Sequence, residues 1–161
     1  YRTVSAYADL LSIPAMEKVM MEAMQEAEKP EYTEEDYAYA AQFAADENSP
    51  SIDTDILPAD QTINLGSTDV GDVSWQVPTG LIGVATEATG CALHTWQIVA
   101  QGKSPLAHKG MHYAARILFA AAKKLYESPE RCALIQDDYQ NVIGHRTYQS
   151  MLPDSVKPGD F

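Results

Sequence analysis

Apolar residues recur at helical spacing in four stretches of the chain, and each stretch opens with residues that favour the start of a helix. The spacing predicts helices over 14–28, 33–46, 105–124 and 128–144. Three of them have proline at or beside the first helical position, and Ser or Thr stands at the N-cap of the last three. Gly144 is typical of the residue that ends a helix.

Each predicted helix has one apolar face that we expect to pack into a core. The methionine-rich face of the first helix also suits an adaptable binding surface, but core packing is the interpretation that we prefer. The predicted faces consist of Met16, Val19, Met20, Ala23, Met24 and Ala27 in the first helix; Tyr37, Ala40, Ala41 and Ala44 in the second; Ala107, Met111, Ala114, Ala115, Leu118 and Ala122 in the third; and Cys132, Ile135, Tyr139 and Val142 in the fourth.

Two shorter stretches have the character of strands. Residues 81–86 form a short apolar, β-branched run, and residues 93–100 alternate so that every second side chain shares one side. The Asp-, Ser- and Pro-rich stretch 47–62 is typical of a loop. Strands between helices predict an α/β fold with a few strands flanked by helices.

Composition excludes several classes of function. The 161 residues carry a formal net charge of -12, whereas binding to nucleic acid requires a basic surface. No apolar run has the length of a membrane span, and residues 1–12 do not have the pattern of a signal peptide. The two cysteines, Cys91 and Cys132, predict free thiols in a reducing compartment, so we expect a cytoplasmic protein. Because the chain begins at Tyr1, we expect it to be cut from a longer one.

The densest polar cluster near the predicted core is Gly66–Trp75, with the sequence GSTDVGDVSW. Its carboxylates Asp69 and Asp72 are three residues apart. They are suited to bind a cation, to orient a metal ligand or to hold a substrate. The structural alternative is a polar turn whose side chains cap their own backbone.

Histidines are the other candidates for chemistry. His94 has an imidazole that can ligate zinc, and Cys91 precedes it by three residues, although a zinc site needs three or four ligands. The alternative is a hydrogen-bonded structural histidine. His108 and His112 share a helix face, but Lys109 stands where helical zinc motifs carry Glu, so we expect a substrate contact rather than a two-histidine metal site.

Three segments together carry a resemblance to a known family. The GSTDVGDVSW motif, the phrase HTWQIVAQGKSPLAHKGM over 94–111, and the ending from Tyr148 through Leu152-Pro153 to Pro158 resemble the aminobenzoyl-glutamate hydrolase branch of the zinc aminoacylase and glutamate carboxypeptidase family. The resemblance extends over about 14–161. It implies an α/β catalytic domain with an inserted lid that mediates dimers. Residues 1–12 would be the exit from the lid, and 13–161 the C-terminal segment of the catalytic domain.

The same resemblance implies roles for individual residues. His94 matches the family's last metal ligand, the metal being zinc or manganese. Asp69 falls where many relatives carry a Glu-Asp pair, although Thr68 precedes it here. Together with Ser67 and His108, Asp69 is expected to contact the substrate or the groups around the metal. The catalytic base is expected to lie outside this chain, because the resemblance implies that it comes from the family's N-terminal half, whose His-x-Asp motif is absent here.

The function that follows from the resemblance is metal-dependent hydrolysis of an amide bond in a small aminoacyl or p-aminobenzoyl-glutamate type substrate. We expect the chain to be inactive by itself and to self-associate as a homo-oligomer, with neither nucleic acid nor membrane as partner. The alternative is a non-catalytic binding or assembly module.

Overall fold

A computed structural model describes residues 3–45, 48–58 and 68–157 of the chain. Within these ranges the regular structure is helical. The helices are α1 (Pro14–Glu26), α2 (Glu34–Ala41), α3 (Val70–Ser74), α4 (Trp96–Gln101), α5 (Pro105–Tyr126) and α6 (Pro129–Ile143). No helix in this described part is long and apolar enough to cross a membrane.

The prediction of an α/β fold with a few strands flanked by helices is wrong, because the described residues contain no strand. Residues 81–86 form no regular element, since a short apolar run by itself does not distinguish a strand from a packed loop. In the stretch 93–100, the chain turns into α4 after Thr95, which has the extended backbone of an N-cap residue. The alternation seen in the sequence there did not reflect strand pairing.

The helix ends follow the local sequence signals. Thr33 and Asp36 form a capping box at the start of α2, in which each side chain accepts a hydrogen bond from the other residue's backbone N–H. The Ser128 hydroxyl accepts from Arg131 N at the start of α6. Gly144, with φ 61°, follows the end of that helix. The spans of α1, α2, α5 and α6 confirm the four predicted helices, although α2 is five residues shorter at its end than predicted.

The described residues form two compact units. The first unit comprises residues 3–19, 68–81 and 125–157. Its buried apolar side chains come from the chain before and within α1 and from α6: Leu11, Ile13, Val19, Ile135 and Tyr139. The Ala15 N–H donates to the Asp138 carboxylate (2.8 Å), which fixes the start of α1 to α6.

The second unit comprises residues 20–45, 48–58 and 82–124. A core cluster joins α2, the loop after it, the segment before α4 and α5, and consists of Ala40, Ile52, Ala88 and Leu106. The Tyr113 hydroxyl on α5 donates to the Met24 carbonyl oxygen (3.1 Å). This unit carries the predicted metal ligand His94.

The buried face of α5 differs from the predicted one. Leu106, Ala107, Gly110, Tyr113, Ile117 and Ala121 are buried. Of the predicted face, Ala107 alone is buried, whereas Met111 and Leu118 are about half exposed. Gly110 explains why this face of α5 is the buried one. A Cβ at residue 110 would overlap the Ala85 carbonyl oxygen, so the close approach requires glycine. The helix is apolar on both faces, so the pattern could not show which face packs.

Three further predicted core positions are corrected, and one of them, Ala41 at the end of α2, is exposed. Cys132 lies exposed at the start of α6, where its thiol donates to the Leu125 carbonyl oxygen (3.4 Å). Tyr37 of α2 is exposed as well, while Asp36 is buried in its place. Both cysteines are free, as predicted. The face of α1 is confirmed by burial of Val19, Met20 and Ala23.

Candidate functional site

The described part of the polar motif, residues 68–75, lies against the backbone of residues 8–11 in the first unit. Gly71 is buried, and a Cβ at this position would overlap the Ala8 carbonyl oxygen and lie 2.9 Å from the Ala8 carbonyl carbon. The two backbones can therefore approach this closely only because residue 71 is glycine.

Three side chains of α3 and its C-cap complete this contact. The Asp72 carboxylate accepts from the Ala8 N–H (2.9 Å). The buried Ser74 hydroxyl accepts from the Leu11 N–H (2.9 Å) and donates to the Gly71 carbonyl oxygen (2.6 Å). The Trp75 indole N–H donates to the Asp9 carbonyl oxygen (2.9 Å). We call residues 71–75 the backbone clamp.

The backbone clamp shows that much of this polar motif has a structural role. Its side chains satisfy N–H and C=O groups more than 60 residues earlier in the chain, rather than only their own turn. The predicted local capping occurs at Thr68, whose hydroxyl accepts from the Val70 N–H (3.3 Å). Asp72 is thus half-buried and engaged in holding residue 8.

Asp69 differs from Asp72. It is exposed and precedes α3, and its side chain makes no capping hydrogen bond. The other predicted contact in this motif, Ser67, lies outside the described residues, as does Gly66. Asp69 therefore remains the carboxylate of this segment that is available for a substrate or a neighbouring group.

His94 lies in the second unit, on the turn that leads into α4. Its side chain is exposed, and its φ of 60° places the backbone in the left-handed region. A non-glycine residue in that region costs free energy and is sustained when the surrounding structure determines it. The imidazole is therefore presented to the surface by a turn of unusual geometry, and is not packed in the core.

The turn around His94 is anchored on the side that precedes it. The Thr89 carbonyl oxygen accepts from the Ala45 N–H (3.2 Å), and the Thr89 N–H donates to the Ser51 carbonyl oxygen (2.9 Å). Gly90 has a φ of 72° and lies against the Ala45 side chain. These bonds join the segment before His94 to the loop that follows α2.

Aromatic residues surround α4, which begins two residues after His94. The Trp96 indole is 71% exposed, and it makes an edge-to-face contact with the Phe43 ring, with the centroids 6.4 Å apart. Phe43 in turn contacts Tyr39, whose hydroxyl donates to the Ala100 carbonyl oxygen (3.1 Å). The row of rings holds Trp96 in place and leaves most of its surface open.

Cys91, which the sequence suggested as a partner of His94 in a metal site, has a different contact in the structure. The Cys91 sulfur is 3.5 Å from the Gln101 side-chain nitrogen. No group of three or more His, Cys, Asp or Glu side chains that would hold a metal is found among the residues that the structure describes. A zinc site takes three or four ligands, and His94 is the one ligand that we predict from this chain.

His108 and His112 are both exposed on the first turns of α5. Between them, Lys109 forms an ion pair with the buried Asp36 carboxylate of the capping box. The Lys109 nitrogen also lies 5.8 Å from the centre of the Tyr32 ring. This ion pair holds the start of α5, and with it His108, against α2.

The ion pair sets the protonation of Asp36. Burial of the carboxyl raises its pKa, but the hydrogen bond from Lys109, those from Thr33 and the charge of Lys109 outweigh burial, so the pKa of Asp36 lies below its usual 3.8. Burial, followed by the charge of Asp36, raises the pKa of Tyr32. Asp36 is therefore held as a carboxylate at neutral pH.

The predicted site residues thus fall in different parts of the fold. Asp69 belongs to the first unit, and His94 and His108 belong to the second. Sequence reasoning missed the Asp36–Lys109 ion pair and the buried side chain of Gln101. The Thr33-x-x-Asp36 spacing was a usable signal for a capping box, whereas nothing in the sequence marks Gln101.

Comparison with curated proteins confirms the resemblance carried by the motifs. The chain is similar to a subunit of the p-aminobenzoyl-glutamate hydrolase of Escherichia coli (strain K12), with 29% identity over 172 residues. The match covers 89% of this chain and 36% of that protein, so the chain spans about a third of the relative's length. No family model matches the chain, and no solved structure matches it significantly.

Proposed function

We propose that this chain is part of a metal-dependent hydrolase that cleaves an amide bond of the p-aminobenzoyl-glutamate type. The observation that carries the proposal is the similarity, over 89% of the chain, to a protein named as a subunit of p-aminobenzoyl-glutamate hydrolase. The exposed imidazole of His94, on a left-handed turn, gives the proposal a candidate residue.

In this proposal His94 contributes one imidazole nitrogen to a divalent metal, zinc or manganese. Such a metal, when bound, supplies Lewis-acid activation of water and of the amide carbonyl. His94 is exposed and therefore accessible to further ligands that the described residues do not provide. The general base that takes a proton from water is assigned to sequence outside this chain.

Trp96 is a candidate contact for the aromatic part of the substrate. A p-aminobenzoyl group is a flat ring, and aromatic rings favour stacked or edge-to-face contacts with one another. The indole is open to solvent and lies two residues from the proposed metal ligand. Asp69, Ser67 and His108 stay predicted contacts to the substrate or to the groups around the metal.

The proposal also covers assembly and location. We propose a homo-oligomer that does not bind nucleic acid, in the reducing cytoplasm, where two free thiols persist. On α5, Met111, Leu118 and Phe119 are exposed, the last by 72%. Such apolar side chains favour an interface. Their exposure also favours the second candidate function, a non-catalytic binding or assembly module.

Replacement of the proposed ligand tests the function. In the full-length protein, His94→Ala should remove bound zinc and lower the rate of p-aminobenzoyl-glutamate hydrolysis by about 100-fold or more, since loss of a metal ligand exceeds the 10–100-fold effect of its supporting partners. Metal content by atomic emission and product release by absorbance provide the measurements.

The matched control is His145→Ala, which removes another exposed histidine of the chain. The control should retain both zinc and activity. Unchanged zinc content and unchanged hydrolysis in His94→Ala would overturn the assignment of His94. Absence of amide hydrolysis by the full-length wild-type protein would favour the binding module.

A further inference from the structure

A second apolar stripe runs along α5, apart from the stripe that packs into the second unit. Its five members recur at helical spacing over roughly 17 Å of the helix, and none of them is charged: Met111, Ala115, Leu118, Phe119 and Ala122. We call these five residues the outer face of α5. All of them are exposed, Met111 and Leu118 by about half and Phe119 by 72%.

The other sides of α5 are occupied within the second unit. The buried residues of the helix are centred roughly 130° around its axis from the outer face, since successive residues are about 100° apart. Two basic side chains between the stripes have acidic partners in the same unit: Lys109 pairs with Asp36, and Arg116 with Glu28. Packing and ion pairing among the described residues of this unit therefore leave the outer face uncovered.

The composition of the outer face is that of a contact surface. Single apolar residues are common on protein surfaces, whereas several large ones side by side mark a contact. A helix that is apolar on more than one side is typical of one that packs on more than one side. Ala115 and Ala122 alternate with Met111 and Leu118, so another segment can approach closely at the alanines and contact the longer side chains beside them.

The length of the similar protein indicates what covers this face. The match to the Escherichia coli hydrolase subunit covers 36% of that protein, so almost two-thirds of its length has no counterpart in these 161 residues. A segment joined covalently to α5 meets it at a high effective concentration, without the loss of translational freedom that a second copy would incur. The remainder of the same polypeptide is therefore the favoured occupant of the outer face.

We propose that the outer face of α5 packs against the part of the full-length polypeptide that lies outside residues 1–161. This inference rests on the proposed function in taking the chain to be part of a longer hydrolase. The contact makes α5 an inner helix of the complete subunit, covered on its buried stripe by the second unit and on its outer face by the remaining sequence. The outer face then stabilises the subunit and is not the contact of the homo-oligomer.

A photo-cross-linker at residue 119 identifies the occupant. In the full-length protein, p-benzoylphenylalanine replaces Phe119, because it keeps an aromatic ring at this exposed position and bonds on irradiation to C–H groups that touch it. Denaturing gels show whether a product contains one chain or two, and peptide mass spectrometry locates the bond. We expect products of single-chain mass that are bonded to peptides outside residues 1–161.

The other cross-linking results would each overturn the inference. Products of two-chain mass would show that a second copy covers the outer face. Products confined to residues 1–161, or no product at all, would show that the face is open to solvent in the complete protein.

Oxidation of methionine tests the same cover without a substitution. Met111 lies on the outer face, and Met20 is the buried reference within this chain. In dilute hydrogen peroxide, Met111 of the folded full-length protein should be oxidised about 10-fold more slowly than in the protein unfolded in urea, at a rate close to that of Met20. Oxidation of Met111 at the rate of the unfolded protein would contradict the cover.

Both measurements are independent of hydrolysis and of bound metal. A full-length protein that gives the expected cross-links but cleaves no p-aminobenzoyl-glutamate would overturn the proposed activity and leave the covered face of α5. An active hydrolase whose residue 119 cross-links to a second copy would overturn the inference about α5 alone.

Discussion

Two polar segments of the chain have opposite structural roles. In the backbone clamp (71–75), the glycine approaches the backbone of an earlier segment, and Asp72, Ser74 and Trp75 hydrogen-bond to it. Around His94, the hydrogen bonds are made by flanking residues, and the imidazole and the Trp96 indole stay exposed. The clamp holds the fold together, whereas the second segment uses the fold to present side chains.

The difference shows that a high density of polar residues in a motif does not by itself indicate a catalytic or binding site. The clamp is the richer motif in Gly, Asp and Ser, yet its groups are occupied by backbone partners. In the second segment the anchoring is less visible, because it depends on main-chain groups and on one buried amide, Gln101. The comparison predicts that clamp variants lose stability and that His94 variants lose function.

The largest expected effect is that of Gly71→Ala. Its methyl group would overlap the backbone of Ala8, and neither backbone can move aside cheaply, so we expect a loss of about 3 kcal/mol in the free energy of unfolding. Urea unfolding of the full-length protein followed by circular dichroism measures it. Gly83→Ala is the control, because a Cβ there has no neighbour within 4 Å. Equal stability of the two variants would mean that the close approach at Gly71 does not stabilise the fold, and the contrast between the two segments would be wrong.

A smaller loss of stability is expected for Asp36→Asn. The Asp36 carboxylate has a structural role in the second unit that parallels the role of Asp72 in the first. Asp36 has a lowered pKa in the folded protein, so its ionised form stabilises the fold above the usual pKa of 3.8. That stability is lost as the pH falls from about 4 through the folded pKa. The variant should lose about 1–2 kcal/mol at neutral pH, since a hydrogen-bonded charge is removed.

The pH dependence of unfolding checks this prediction. Below pH 4, the stability of Asp36→Asn should fall less steeply than that of the wild type. Lys109→Met removes the hydrogen-bond donor and positive charge that lower the pKa of Asp36, and it should flatten the same part of the curve. Parallel curves for all three proteins would show that Asp36 does not couple folding to pH.

The smallest effect on stability is expected for His94→Gly. Glycine accepts a φ of 60° without strain, and this gain offsets its greater freedom in the unfolded chain. We therefore expect the free energy of unfolding to change by less than about 0.5 kcal/mol, with zinc binding lost. A loss of 2 kcal/mol or more on urea unfolding would mean that the imidazole supports the fold, and the contrast with the clamp would disappear.

The sequence predicted the parts of the fold that depend on local signals. Helix starts at Thr33 and Ser128 were recognised because capping is decided within one turn of the chain. The prediction of strands failed at 81–86 and 93–100, because strand formation depends on a partner that no local pattern specifies. For α5, two apolar faces were equally good, and the close approach at Gly110 decided between them.

The candidate site was predictable to a similar degree. The motifs led to the family resemblance and to His94, whose exposure agrees with a ligand and whose role stays a prediction. Asp69 and Asp72 looked alike in sequence, and only the position of the Ala8 N–H distinguishes them. Gln101 could not be found from sequence, because its importance comes from burial and from partners 4 to 13 residues away.

The two tryptophans of the chain report separately on the two segments compared above. Trp75 is half-buried, bonded to Asp9 and covered by the Arg146 guanidinium 4.8 Å from its ring, whereas Trp96 is open to solvent. A collisional quencher such as iodide should therefore quench the second indole more strongly than the first. Their separate fluorescence distinguishes loosening of the clamp from an event beside His94 without any label being added to the protein.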